Sequence, residues 1–469
     1  MGVNKIFSKL MGKGIEIEDE AIDKLDEIPK EEKDNFIEWI LENNIDFIQE
    51  VDILKFKNIV KFPSESRFKY IDYSDKLFID GEPTDWVKYF NSRYEKMKKF
   101  FDRRLLKETV DIKNLPEGEY DVKLYGLIRD KYLSKNGHMI ITLEDPTGDC
   151  KVIALKKKEE LVKKCKKIMK DSPIIVDGGT SDDGDALFIN EIYTPSIDRK
   201  ELPSWNGENT EGGKIIFTSD WHIGSKECNY NSIEKFVKYV NNHSNEILTV
   251  FHLGDLIDNV AIYPDQYKEV EIKKIGEQYE KASQILSKIE VPIVFVPGNH
   301  DLGGGSNKIP SPSLLKSEDT KSLYDLPNIR ILSNPSQVII DDVRILLTHG
   351  ESLLAFLNSY GWNINSETVG LSMKKMLTHR HVIPEYGLRQ AQHMPTSEDF
   401  LTIDNIPDII ATGHTHIKSY KEYKNIKMIN PGCMQEKTDY MRRNGINPSP
   451  TSFSEMNLKN GKVNMIKVT

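Results

Sequence analysis

The sequence predicts a multidomain chain: a small helical N-terminal region, a five-stranded β-barrel with one inserted helix, and a C-terminal α/β domain. Three observations predict it. Apolar residues recur at helical spacing near the N-terminus, short alternating runs broken by turn residues follow from about 110, and in the C-terminal half five β-branched runs each end in a short polar motif. At 469 residues the chain can bury two or three separate cores.

Taken in order, residues 1–60 carry dense charge. Phe36, Ile37, Trp39, Ile40 and Leu41, then Ile45, Phe47 and Ile48, are spaced as on amphipathic helices. Residues 61–109 combine a linker and a helix. Positions 61–84 are rich in Ser, Pro, Asp and Gly, which predicts little regular structure, and Asp85 to Phe101 forms an amphipathic helix with an aromatic face. That face is expected to pack on the domain that follows; a docking surface for a partner is the alternative.

Residues 110–198 read as short strands. Tyr120–Ile128 alternates, Gly137–Leu143 follows a Lys-Asn-Gly turn, and Asp149–Leu155 follows Pro146-Thr-Gly148. A lysine-rich helix over 156–170 precedes two more strands, Pro173–Gly178 and Ala186–Asn190. Five strands with a helix after the third are the layout of an oligonucleotide/oligosaccharide-binding (OB-like) barrel. Between Lys151 and Lys170 nine lysines and two glutamates give a net +7. Leu161, Val162, Cys165, Ile168 and Met169 share one helix face, so the lysines cover the other, as a solvated face or as a contact to DNA backbone.

Residues 199–213, with Pro203, Gly207, Gly212 and Gly213, form a linker. The remaining 214–469 form the third domain, in which Gln266 to Ile289 is expected to be one long crossover helix between strands.

The chemistry sits in that third domain. Lys214–Thr218 precedes Asp220-x-His222, and Ile247–Phe251 precedes Gly254-Asp255-Leu256-Ile257-Asp258. Val291–Val296 precedes Gly298-Asn299-His300-Asp301, Val343–Leu347 precedes Thr348-His349-Gly350, and Ile409–Ala411 precedes Gly413-His414-Thr415-His416. Buried strands followed by polar loops are where α/β sheets place their sites. A lone Asp-x-His or His-x-His is commonly a surface or satisfied core group; five such motifs after five strands reverse that expectation. Carboxylates, imidazoles and an amide, without thiolate, suit Mn²⁺, Fe²⁺ or Zn²⁺. The other histidines, His138, His243, His252, His379, His381 and His393, are expected to be structural, with His252 inside the sheet.

Composition narrows the class. No apolar run approaches a membrane span. The N-terminus lacks the apolar segment of an export signal, which predicts a cytoplasmic protein. Cys150, Cys165, Cys228 and Cys433 lie far apart without a CxxC, as reduced thiols do. A net charge of -9 argues against a generally basic nucleic-acid binder, yet metal ions supply positive charge where a phosphate sits.

The motif order resembles that of calcineurin-like metallophosphoesterases. The resemblance implies that the OB-like barrel read above is followed by an α/β calcineurin-like metallophosphoesterase sandwich, with two divalent ions, Mn first and Fe or Zn as alternatives. By that resemblance Asp220, His222, Asp255 and His416 bind one ion. Asp255, Asn299, His349 and His414 bind the other. His300 then acts on the leaving alkoxide, and Asp258 orients its imidazole. Beyond the metal motifs, Ser219–Lys226, Ala261-Ile-Tyr-Pro264, Arg380–Gly387, Ile406–Ile409, Gln435-x-x-Thr438 and Asn447-Pro-Ser-Pro450 are similar to the small, B-type subunits of replicative polymerases, in particular those of the archaeal family D DNA polymerase. This second resemblance covers about 110 to 469.

It implies a Mn²⁺-dependent 3′→5′ proofreading exonuclease, with DNA and the large catalytic subunit as partners and a sliding clamp as a further contact. For the clamp, Lys96–Phe101 offers only the aromatic end of a binding motif. A scaffold subunit with weak catalysis, or another calcineurin-like DNA phosphodiesterase, is the alternative. One departure stands out: the family usually has an arginine soon after Gly-Asn-His-Asp, where this chain has Leu302-Gly-Gly-Gly-Ser-Asn307.

Overall fold

The computed structural model describes residues 9–18, 21, 22, 25, 33–42, 45–49, 67–77, 81–203, 210–303, 308–389 and 391–468. The C-terminal domain is a four-layer sandwich. One six-stranded sheet runs in the order Ile329–Ile331, Ile293–Phe295, Ile247–His252, Lys214–Thr218, Ser452–Asn457 and Val463–Lys467. The other runs Ser419–Tyr423, Ile426–Asn430, Ile409–Ala411, Val343–Leu347, Ser336–Ile340 and Phe68–Ile71. Both inner faces are apolar, because strands covered on both sides read as continuous hydrophobic runs. Ile215, Phe217, Phe251 and Val294 of the first sheet meet Val338, Ile345, Ile409 and Ile429 of the second.

Helices Tyr230–Asn242 and Ile275–Leu286 cover the outer face of the first sheet. Glu351–Tyr360 and Ser366–His379 cover that of the second. All five runs that precede the polar motifs are strands. Within each sheet they pair in parallel, so their polar C-terminal loops gather at one end.

The barrel strands are Val122–Leu133, Met139–Asp145, Gly148–Ala154, Pro173–Thr180 and Ala186–Tyr193. The first pairs with both the second and the fourth, and the third pairs in parallel with the fifth, which closes a five-stranded barrel. Leu124, Ile141, Val152, Ile174 and Val176 are fully buried inside it. Burying each such side chain is worth about 1.5–3 kcal/mol.

Four expectations need correction. The 61–84 segment is not irregular throughout. Residues Phe68–Ile71 form an edge strand antiparallel to Ser336–Ile340, with Phe68 buried in the core between the sheets. Four residues alternate too briefly to be read locally, and the partner lies more than 260 residues away; positions 61–66 fall outside the described residues.

The helix expected over Gln266–Ile289 is instead a short 3₁₀ turn at Gln266–Lys268 and a helix at Ile275–Leu286. Between them the backbone is used elsewhere: Glu271 N and Ile272 N donate to Gly224 O, and Val270 bridges Ser225.

The lysine-rich helix is only Glu159–Lys166. Lysines in and beside it are already engaged. Lys164 and Lys158 donate to the backbone carbonyls of Ile192 and Ile189, and Lys163 pairs with Glu160. At the N-terminus, Lys33–Glu42 is helical, but Phe47–Ile48 is a short strand parallel to Glu16–Ile17; positions 50–60 fall outside the described residues.

The amphipathic helix, Pro83–Lys98, packs against two domains at once. Tyr125 of the barrel donates to Tyr94 O (2.7 Å), and Arg93 Nε donates to Asp399 Oδ2 of the C-terminal domain (2.6 Å) with both side chains fully buried. Asp399 also faces His381 Nε2 at 2.9 Å, and Tyr89 donates to its other oxygen at 3.2 Å. All four cysteines are buried and unbridged. Among the described residues no helix is long and apolar enough to cross a membrane.

Candidate metal centre

The five loops hold their polar residues in a costly backbone. Asp220, His222, Asp255, His414 and His416 all have left-handed φ, between 49° and 66°. For a non-glycine residue that conformation costs about 1–3 kcal/mol and persists only where the surroundings impose it. Glycines let the loops approach. Gly254 (φ 91°) lies where a Cβ would meet Gly298 N and His349 Nδ1, each at 2.6 Å. A Cβ on Gly413 would stand 1.8 Å from Ser219 Oγ.

Hydrogen bonds set the tautomers. His222 Nδ1 donates to Asp258 Oδ1 (2.9 Å), and His349 Nδ1 donates to Leu253 O (2.7 Å). In both rings Nε2 is left with its lone pair, turned inward. His222 Nε2 lies 3.0 Å from His416 Nε2 and 3.7 Å from Asp255 Oδ2. His349 Nε2 lies 3.1 Å from His414 Nδ1, 3.1 Å from Asn299 Oδ1 and 3.3 Å from Asp255 Oδ2. Asp220 Oδ1 is 3.4 Å from His416 Nε2, and its carboxylate also accepts from His414 N at 3.0 Å.

Lone pairs and carboxylate oxygens therefore face one another at two adjacent places joined by Asp255. Asp220, His222 and His416 form one group able to hold a cation, and Asp255, His349 and His414 form another. The charges agree. Burial lifts Asp220 above the usual carboxylate range, and although burial also opposes charge on His349, the adjacent Asp255 outweighs it and keeps that imidazole well above its ordinary value. A cation between these groups stabilises the Asp220 carboxylate and takes the place of the proton that Asp255 draws onto His349, so the donor set fits divalent ions.

The structure divides the work expected of Asp258. Its carboxylate binds His222, while its backbone carbonyl accepts from His300 Nδ1 (2.6 Å); Asp258 Oδ1 is 3.6 Å from that nitrogen. The His300 backbone N donates to Asp255 Oδ1 (2.8 Å), tying that loop to the shared carboxylate. Burial lowers the His300 pKa, with Asp255 pulling the other way.

Three supporting residues escaped the sequence reading. Gln266 Nε2 donates to Asp258 O (2.6 Å) and lies 3.4 Å from His300 Nδ1, although the sequence placed it at the start of a helix. Asn259 Nδ2 donates to His300 O (2.8 Å). Asp301 accepts from Gly298 N (2.8 Å) and from Leu256 N and Ile257 N, so it laces two of the loops together; it stood inside a quoted motif without a role. His252 lies at the end of its strand, buried between Trp221 and Phe295, away from both groups.

Residues 213–418 match the calcineurin-like phosphoesterase family. The chain is 34% identical, over 95% of its own length and 96% of the relative's, to the DNA polymerase II small subunit of Methanothermobacter thermautotrophicus. The chain belongs to the archaeal DNA polymerase II small-subunit family. It is also 31% identical to the DNA polymerase II small subunit of Methanocaldococcus jannaschii, over 82% of this chain and 66% of that one. To the corresponding protein of Thermoplasma acidophilum it is 27% identical, over 95% and 89%. The likeness thus reaches beyond the 110–469 region that the sequence words marked.

In this small-subunit chain His222, Asp255, Asn299, His300, His414 and His416 line a cleft of about 500 Å³. Gln435 and Thr438, from one of the sequence words shared with B-type subunits, line it, together with Tyr263, Tyr440 and Arg389.

Proposed function

We propose that this chain is a metal-dependent DNA phosphodiesterase, a 3′→5′ proofreading exonuclease acting within a DNA polymerase whose large catalytic subunit is its partner. The observation that carries the reading is the convergence of two inward-facing imidazole pairs on one shared carboxylate, Asp255. Asp220, His222, Asp255 and His416 would hold one divalent ion and Asp255, Asn299, His349 and His414 the other, with Mn²⁺ preferred. Bound ions supply Lewis acidity to the phosphate and acidify water near neutral pH.

The protein's own groups do the rest. Hydrogen bonds from the rings of His222 and His349 to Asp258 and Leu253 fix which nitrogen faces the site. His300 keeps its Nδ1 proton on Asp258 O, which leaves Nε2 to carry a proton to the leaving 3′ oxygen as the terminal nucleotide departs. The barrel is of the OB type in this reading, supported by its strand order and closure, and it serves chiefly as a protein-binding module.

The test is degradation of single-stranded and 3′-mismatched DNA with Mn²⁺. Wild type should release nucleotides from the 3′ end, and folded His300→Ala and Asp255→Asn variants should not. No release by the wild type, alone or with the large subunit, would make the chain a scaffold.

A further inference from the structure

The cleft has an aromatic wall that hydrolysis of a phosphodiester does not require. Tyr263 and Tyr440 both line it, their ring centroids 5.0 Å apart and tilted by 34°. Tyr263 lies 6.3 Å from the His300 ring, and its hydroxyl is anchored on Glu269 (3.3 Å). Tyr440 stands further out and is 45% exposed. A large ring left open in a cleft, braced from behind by a second ring, has a free π face. Met441 and Ile446 add apolar lining beside it.

One strong cation joins them. Arg389 is the single Arg or Lys among the described lining residues, and it forms no ion pair with a described residue. Acidic and imidazole groups, one guanidinium and an open aromatic face in a single cleft match the three parts of a nucleotide strand: scissile phosphate, neighbouring phosphate and base. Stacking of this kind tolerates any base, since each has a π face. A base can enter the cleft to reach that face only after leaving its pair, and the unpairing cost is least for a mismatched or frayed end.

We infer that Tyr440, backed by Tyr263, is the stacking platform for the base of an unpaired DNA end, with Arg389 on the strand's phosphate, so that the site admits frayed ends and refuses paired ones. This rests on the phosphodiesterase reading above and adds the selection of substrate to it.

Two measurements on the full-length chain separate the ideas. The first is binding of a single-stranded oligonucleotide carrying 2-aminopurine at its 3′ end, in the Asp255→Asn background so that no turnover is needed. The fluorophore should be quenched on binding. Tyr440→Ala should remove the quench and weaken binding about fivefold to 100-fold. Tyr440→Phe should restore both, and Arg389→Ala should weaken binding while keeping the quench. An unchanged quench in Tyr440→Ala overturns the platform.

The second is Mn²⁺-dependent hydrolysis of thymidine 5′-(p-nitrophenyl phosphate) against methyl p-nitrophenyl phosphate, which has no base. Tyr440→Ala should raise KM for the first by a larger factor than for the second. Equal effects on both overturn the platform. Failure of the wild type to hydrolyse either, with the quench intact, overturns the phosphodiesterase reading alone.

Discussion

Gly298→Ala tests whether the two ligand groups are one coupled site. Gly254 needs glycine for its φ of 91°, but at Gly298 what is lacking is space. An alanine Cβ there would lie 2.3 Å from Asp255 Oδ1 and 2.5 Å from Asp255 N, and 2.8 Å from His349 Cε1. Reaching even a 3.0 Å contact requires Asp255 to withdraw by about 0.7 Å. Asp255 cannot yield freely, since Oδ1 accepts from His300 N and Oδ2 faces both His222 and His349. The displacement is shared by both groups at once. A misplacement near 1 Å costs a catalytic constellation about 100-fold in rate, so turnover should fall by about that factor.

Bound Mn²⁺ per chain, measured by elemental analysis after dialysis, should fall together at both positions rather than at one. Gly148→Ala in the barrel, whose Cβ would meet only Ile112 at 3.8 Å, is the control for folding. A Gly298→Ala protein that keeps wild-type metal content and turnover would refute the claim that Asp255 couples the groups.

Other outcomes follow from the packing. Arg93→Leu leaves Asp399 buried without its guanidinium and should cost about 3–5 kcal/mol in urea unfolding; a loss below about 1 kcal/mol would mean that His381 and Tyr89 suffice for that carboxylate. Phe68→Ala should cost about 3–5 kcal/mol, because the ring fills the core between the two sheets, and an unchanged midpoint would place the strand outside the folded unit.

Mild acid should draw on two buried histidines away from the metal groups. Burial holds His393 at about 3 and His379 at about 4, below an unfolded value of about 6.5. Their contribution is therefore full above 6.5 and is lost as pH falls, since only the unfolded chain takes up the protons. Between pH 7.5 and 5.5 each loses about 1.4 kcal/mol. A urea midpoint flat across that range would contradict this.

Much of the site was legible because its signals are local. Each buried parallel strand announces itself as a β-branched run, and each candidate ligand follows its strand within a few residues; the fold brings all nine expected site residues into or beside the same cleft. The barrel's alternating strands were readable for the same reason. What the sequence could not determine depends on contacts between distant segments. Phe68–Ile71 becomes a strand because Ser336–Ile340 leaves an open edge. The region after Gln266 abandons the helix because its amides are claimed by Gly224 and its amide side chain by the Asp258 carbonyl.

The division of Asp258 between His222 and His300, the fastening of Arg93 to Asp399, and the meeting of Tyr263, Tyr440 and Arg389 in one cleft are likewise decided in three dimensions. The physical reason is the same throughout: periodicity and motif spacing are written within one turn or one strand, whereas an edge to be paired, a buried charge to be neutralised or a ring to be braced exists only once the layers have packed.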